Sequence, residues 1–117
     1  MVNTCAVTEH AEKKCRNLIR RLHREAPQAI IAVTGCYAQL RPEELAAIEG
    51  VDLVLGNRDK GTLFDRVAAL GGKSGARIYS CDTAELTNFF AAFSTGERTR
   101  AFLKVQDGCD YKCSYCT

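Results

Sequence analysis

Short apolar runs and helical-period stripes alternate along the first seventy residues. Val2-Asn3-Thr4-Cys5 reads as the end of a strand followed by a turn. From Ala11 onward, Cys15, Leu18, Ile19, Leu22 and Ala26 recur at helical spacing and make one apolar face. Thr8 suits the N-cap of that helix, and Glu9 and Glu12 suit the positive end of its dipole. Pro27 ends it at or before Ala26. Residues 29–34 form a continuous apolar run, the pattern of a strand buried on both faces of a parallel sheet. Pro42 fits the first turn of a second helix, 42–49, and Gly50 fits its stop. Residues 51–55 predict the next strand. A third helix is expected from about 59 to 70, with Leu63, Phe64, Val67 and Leu70 apolar, and Gly71-Gly72 terminates it.

Strand and helix in strict alternation, joined by short loops, predict an α/β fold with a parallel sheet and right-handed crossovers. Such sheets bind ligands beyond the C-terminal ends of their strands. Cys5 and Cys36 follow two successive strands there, and Asn57 follows the third. Tyr37 and Asn57 are expected to line the same edge and to shape a site with the two thiols. Beyond residue 72 the pattern loosens. A connector, 73–97, holds a candidate strand at 77–81 and the aromatics Phe89, Phe90 and Phe93. An apolar strand, 101–106, then runs into Gly108-Cys109-Asp110-Tyr111-Lys112-Cys113-Ser114-Tyr115-Cys116.

Charge and cysteine content narrow the chemistry. The chain has 117 residues and a net charge of +2, so bulk charge does not by itself argue for nucleic acid. No apolar run is long enough to span a membrane, and the first residues lack the regions of a signal peptide, so the cytoplasm is the expected location. Seven cysteines in such a chain read as metal ligands more readily than as disulfides. Cys15, on the apolar helix face, and Cys81, in the connector, are expected to be structural. His10 and His23 read as surface residues. Lys13, Arg16, Arg20, Arg21 and Arg24 lie opposite the apolar face of the first helix, as a solvated face or as phosphate contacts. Gly71-Gly72-Lys73-Ser74-Gly75 follows a helix and lacks phosphate-loop spacing, so it reads as a turn.

Cys109, Cys113 and Cys116 have C-x-x-x-C-x-x-C spacing, which lets three thiolates meet around one inorganic centre. Thiolates suit iron–sulfur clusters and zinc alike. Three of them on a four-iron cluster leave one iron open to a substrate or cofactor. A zinc knuckle needs a fourth ligand at similar spacing. A zinc-stabilised binding module therefore stands beside the iron–sulfur reading.

The triad with its apolar lead-in resembles the radical S-adenosylmethionine (SAM) superfamily. Asn3-Thr4-Cys5-Ala6-Val7-Thr8, Thr34-Gly35-Cys36-Tyr37-Ala38-Gln39, Gly50-Val51-Asp52, Gly56-Asn57 and the stretch from Arg98 to Cys109 occur in one order. Together they resemble the methylthiotransferase family over nearly the whole chain. They look most like the branch acting on N6-threonylcarbamoyladenosine (t6A) in tRNA. Other branches act on isopentenyladenosine in tRNA or on an aspartate of a ribosomal protein.

The resemblance implies an incomplete flavodoxin-like domain at 1–72 and the start of a radical SAM (β/α) barrel at 98–117. It implies a [4Fe–4S] cluster on Cys109, Cys113 and Cys116 that binds SAM, with Tyr115 near the SAM adenine. It implies an auxiliary [4Fe–4S] cluster on Cys5, Cys36 and a third cysteine upstream of this sequence. The reaction implied adds a methylthio group to carbon 2 of t6A beside the anticodon, with tRNA and an electron donor protein as partners. The sequence reads as a fragment, not competent alone, whose open sheet edge invites dimerisation.

Overall fold

The computed structural model describes residues 1–73, 75–87, 89, 91–94, 101–106 and 113–114. The chain divides into two units, Met1–Leu86 and Thr87–Thr117. The first is built on a four-stranded sheet in the order β1-β2-β3-β4, with every neighbouring pair parallel. The strands are β1 (Val2–Thr4), β2 (Ile31–Gly35), β3 (Val51–Leu55) and β4 (Arg77–Tyr79). The helices are α1 (Glu9–Glu25), α2 (Cys36–Leu40), α3 (Pro42–Ala46) and α4 (Leu63–Ala68), the last entered through a 3-10 turn at Lys60–Thr62. The expected α/β class is the one observed.

Both faces of the two central strands are covered, as their largely apolar runs require. Val2, Val33 and Val54 pack with Ile19 of α1, Tyr37 of α2 and Leu45 of α3. Ala32, Leu53 and Leu55 pack on the other face with Leu70 and the half-buried Leu63 and Val67 of α4. The register slips once: Ile31 pairs with Val51, but Ala32 pairs with Leu53, which leaves Asp52 as an extra residue. A bulge of this kind leaves a ladder donor without its partner. The buried Asp52 carboxylate takes it, accepting the Ile31 N–H at 2.8 Å, and Lys73 Nζ lies 3.6 Å from the same oxygen.

Helix α1 starts where capping chemistry predicts, since Thr8 Oγ1 accepts the Ala11 N–H at 3.1 Å. Five expectations change. The third helix, expected from about 59 to 70, is α-helical only over Leu63–Ala68. Strand β2 begins at Ile31, because the Ala29 N–H is spent in a turn to the Ala26 carbonyl. Residues 36–40 form a short helix that local periodicity does not announce. The expected 42–49 helix ends at Ala46. Phe64 is 83% exposed, because Leu63 and Val67 are i, i+4 neighbours facing the sheet and Phe64 sits one helical step away. The candidate strand in the connector is present as β4, paired with β3 through Leu53–Arg77 and Leu55–Tyr79.

In the second unit, Leu103 pairs antiparallel with Phe93. Ser94 N–H donates to the Phe102 carbonyl and Lys104 N–H to that of Ala92, each at 2.9 Å. Among the described residues, the apolar stretch 101–106 thus makes one antiparallel bridge. The expected boundary at residue 98 lies outside the described residues.

Candidate metal centre

Parallel pairing of β1 with β2 sets Thr4 opposite Gly35. Cys5 and Cys36 are the next residues of each chain segment, so two thiols leave adjacent strands at one level of the sheet. Both are exposed, and neither is in a disulfide. Cys15 is half-buried and packs against the first core cluster, in line with a structural role.

Two residues beside the thiols fix this junction. Thr4 Oγ1 donates to the Thr34 carbonyl at 2.6 Å and accepts the Ala38 N–H at 3.3 Å. The hydroxyl of one strand thereby caps the helix that follows its neighbour, which accounts for α2 starting at Cys36. Gly35 has φ 102°, and a Cβ there would meet Asn3 Oδ1 and the Thr4 backbone. The two strands approach this closely only because residue 35 carries no side chain.

Cys36 also lines a cavity of about 420 Å³, shared with Asn3, Thr34, Leu55, Asn57 and Lys60. Asn57 is therefore at the edge where the sequence predicts it. Its loop is held by the buried Gln39, whose Oε1 accepts the Asn57 N–H at 2.8 Å while its Nε2 donates to the Cys81 carbonyl at 2.7 Å. Gln39 thus ties together the segments that leave β3 and β4, a role no local pattern in the sequence signals. Gln39→Leu keeps the volume and takes from the half-buried Asn57 N–H and Cys81 carbonyl their partner. A loss of about 2–4 kcal/mol is expected, read as a shift in the urea unfolding midpoint.

Tyr37 is not at this edge. Its ring is fully buried in the first cluster, and its hydroxyl accepts from Arg16 Nη1 at 2.7 Å and donates to Glu44 Oε2 at 2.9 Å. Arg16 lies 3.5 Å from the buried Glu12, which is 3.3 Å from Arg41. Burial, with help from the Glu44 carboxylate, pushes the Tyr37 phenol above its ordinary range, against the opposing pull of Arg16. The fold therefore binds the phenolic proton more tightly than the unfolded chain does. That contribution to stability is complete below the ordinary phenol value of about 10 and disappears as pH rises through the higher folded value. Tyr37→Phe should flatten the alkaline fall in stability, by up to about 1.4 kcal/mol per pH unit within that window. Equal alkaline slopes for the two proteins would contradict this.

Cys113 is exposed. Cys109, Cys116 and Tyr115 lie outside the described residues. Among the described residues, no three His, Cys, Asp or Glu side chains converge on a point. The donor set at the strand ends is thus Cys5 and Cys36, two accessible soft ligands. Their chemistry fits an iron–sulfur cluster as two of its thiolates.

A family model described as uncharacterized protein family UPF0004 matches residues 1–56. The threonylcarbamoyladenosine tRNA methylthiotransferase of Bacillus subtilis (strain 168) is 40% identical over 126 aligned positions, covering 99% of this chain and 26% of the relative. The enzyme of the same name from Thermotoga maritima is 38% identical, with 99% and 26% covered. A ribosomal protein uS12 methylthiotransferase from Campylobacter jejuni (strain RM1221) is 33% identical, with the same coverage. No solved structure matches. The chain spans about a quarter of the length of these curated relatives. With its sequence matched almost end to end by proteins of one kind, the chain belongs to the methylthiotransferase family, and its likeness is to the threonylcarbamoyladenosine tRNA branch.

Proposed function

We propose that this protein serves a radical SAM methylthiotransferase that adds a methylthio group to carbon 2 of N6-threonylcarbamoyladenosine beside the anticodon of tRNA. The observation that carries the reading is the pair of exposed thiols, Cys5 and Cys36, leaving adjacent parallel strands at one level. The names of the matched relatives support the substrate. Cys5 and Cys36 would hold two corners of an auxiliary [4Fe–4S] cluster. Cys109, Cys113 and Cys116 would hold the cluster that binds SAM, with Tyr115 against the SAM adenine. When bound, these groups supply the one-electron chemistry and the sulfur that replacement of hydrogen at an unactivated aromatic carbon requires.

The chain's own residues bind and position. Thr4 and Gly35 hold the two strand ends together, and Gln39 fixes the loop that borders the cavity beside Cys36. The first unit is a flavodoxin-like domain in this reading, and residues 101–106 are the first strand of a (β/α) barrel. An electron donor protein, a cytoplasmic location and pairing of two copies through the open edge of β1 complete it. No helix among the described residues is long and apolar enough to cross a membrane.

Metal and sulfide analysis after anaerobic reconstitution tests the reading. Iron and sulfide are expected, with a large part lost in Cys113→Ala; zinc bound in their place would favour a binding module. Nucleosides of tRNA from a deletion strain test the substrate. The methylthio group should vanish from t6A; its loss from the isopentenyl nucleoside, or from neither, would reject this branch.

A further inference from the structure

Helix α1 carries six lysines and arginines against three glutamates, a surplus of three, while the whole chain is only +2. Everything outside this helix therefore sums to −1, and the positive charge of the protein is concentrated on one 17-residue rod. The structure divides those cations into two kinds. Arg16 is turned onto the Tyr37 hydroxyl and Glu12, and Arg21 lies 3.7 Å from Glu25. Lys13, Lys14, Arg20 and Arg24 are exposed, and none has an ion pair or hydrogen bond among the described residues; Lys14 stands apart from Lys13, Arg20 and Arg24 around the helix. Steps of seven and four residues put these three on one line of the helix, with Asn17 between them. The line runs for about 16 Å along the axis. Glu44 and Glu49 border it across the groove between α1 and α3. Glu44 is engaged by Tyr37 and Arg41, and Glu49 lies 3.9 Å from His23.

We propose that the Lys13–Arg20–Arg24 line of α1 is an RNA-docking surface that follows a phosphate backbone. Unpaired, regularly spaced cations that project from a rigid element release counterions when they meet phosphates, and they position the strand without reading its bases. That the RNA is a tRNA rests on the function proposed above; the charge complementarity to RNA does not.

The test measures binding of a fluorescein-labelled RNA stem-loop to this chain by anisotropy across a salt series. Arg20→Gln/Arg24→Gln is compared with Lys14→Gln/Arg21→Gln, which removes equal charge from the same helix off the line. The first pair should weaken binding about tenfold at low salt. It should also make the slope of log affinity against log salt shallower by about 1.4–1.8, two contacts' worth. The second pair should change either by much less. Equal weakening by both pairs, or by neither, overturns the proposal. So does displacement of a labelled polyglutamate that depends on Arg20 and Arg24 while RNA does not bind, since the face would then take an acidic polypeptide. Iron and sulfide content is read on the same samples. Zinc in place of iron with line-dependent RNA binding would sink the radical chemistry and leave this surface standing, and iron with no such dependence would do the reverse.

Discussion

Gly35→Ala is expected to cost about 2–6 kcal/mol, a large share of the stability of a domain this size, and to leave the unfolding midpoint far below that of the parent. Two independent penalties add. At φ 102° and ψ −167°, a region essentially confined to glycine, an alanine pays roughly 1–3 kcal/mol for the backbone conformation alone. Its methyl group would also collide with the backbone of Thr4 and with Asn3 Oδ1. Backbone cannot rotate away as a side chain can, so β1 must move off β2, and overpacking of that kind costs about 1–3 kcal/mol. The movement would also break the Thr4 hydroxyl bridge and carry Cys5 away from Cys36. Gly71→Ala is the matched comparison. It also has positive φ, 62°, but nothing lies within 4 Å of the Cβ position. It should lose only the conformational part, about 1–2 kcal/mol. Equal losses in urea titrations of the two variants would show that close strand approach at Gly35 contributes nothing.

Cys5→Ala and Cys36→Ala are expected to separate stability from function in the opposite sense. Both thiols are exposed and contribute no core packing, so each variant should unfold within about 0.5 kcal/mol of the parent. If the two thiolates hold one cluster, losing either disables the same unit. The deletion strain complemented with the single or the double variant should then show the same loss of methylthio-t6A, and the double variant should add nothing. Disturbing the surroundings of a metal ligand already costs 10–100-fold, so removing a ligand should cost at least about 100-fold. Full modification by either variant would remove that cysteine from the ligand set. Unequal losses would mean that the two act separately.

The order of elements was legible because it is written in local periodicity. The apolar runs at 29–34 and 51–55 mark the two central strands, observed at Ile31–Gly35 and Val51–Leu55, and the stripe from Cys15 to Leu22 is the core face of α1. Parallel alternation then puts Cys5, Cys36 and Asn57 at strand ends without further information, since that is where such strands stop. Only the tertiary structure decided what those residues meet. Tyr37 follows Cys36 directly, yet it turns into the core, because a short helix begins at Cys36 and swings the next side chain between α1 and α3. Arg16 belongs by spacing to the solvated face, yet the Tyr37 hydroxyl takes it. The cap that starts α2 comes from Thr4, thirty-four residues away from Ala38 in the chain, and Gln39 holds loops eighteen and forty-two residues further on. Periodicity reports which face of an element is apolar. It carries no record of which polar group on another element will stand opposite, because that depends on strand register and helix placement, which are set by the whole core at once.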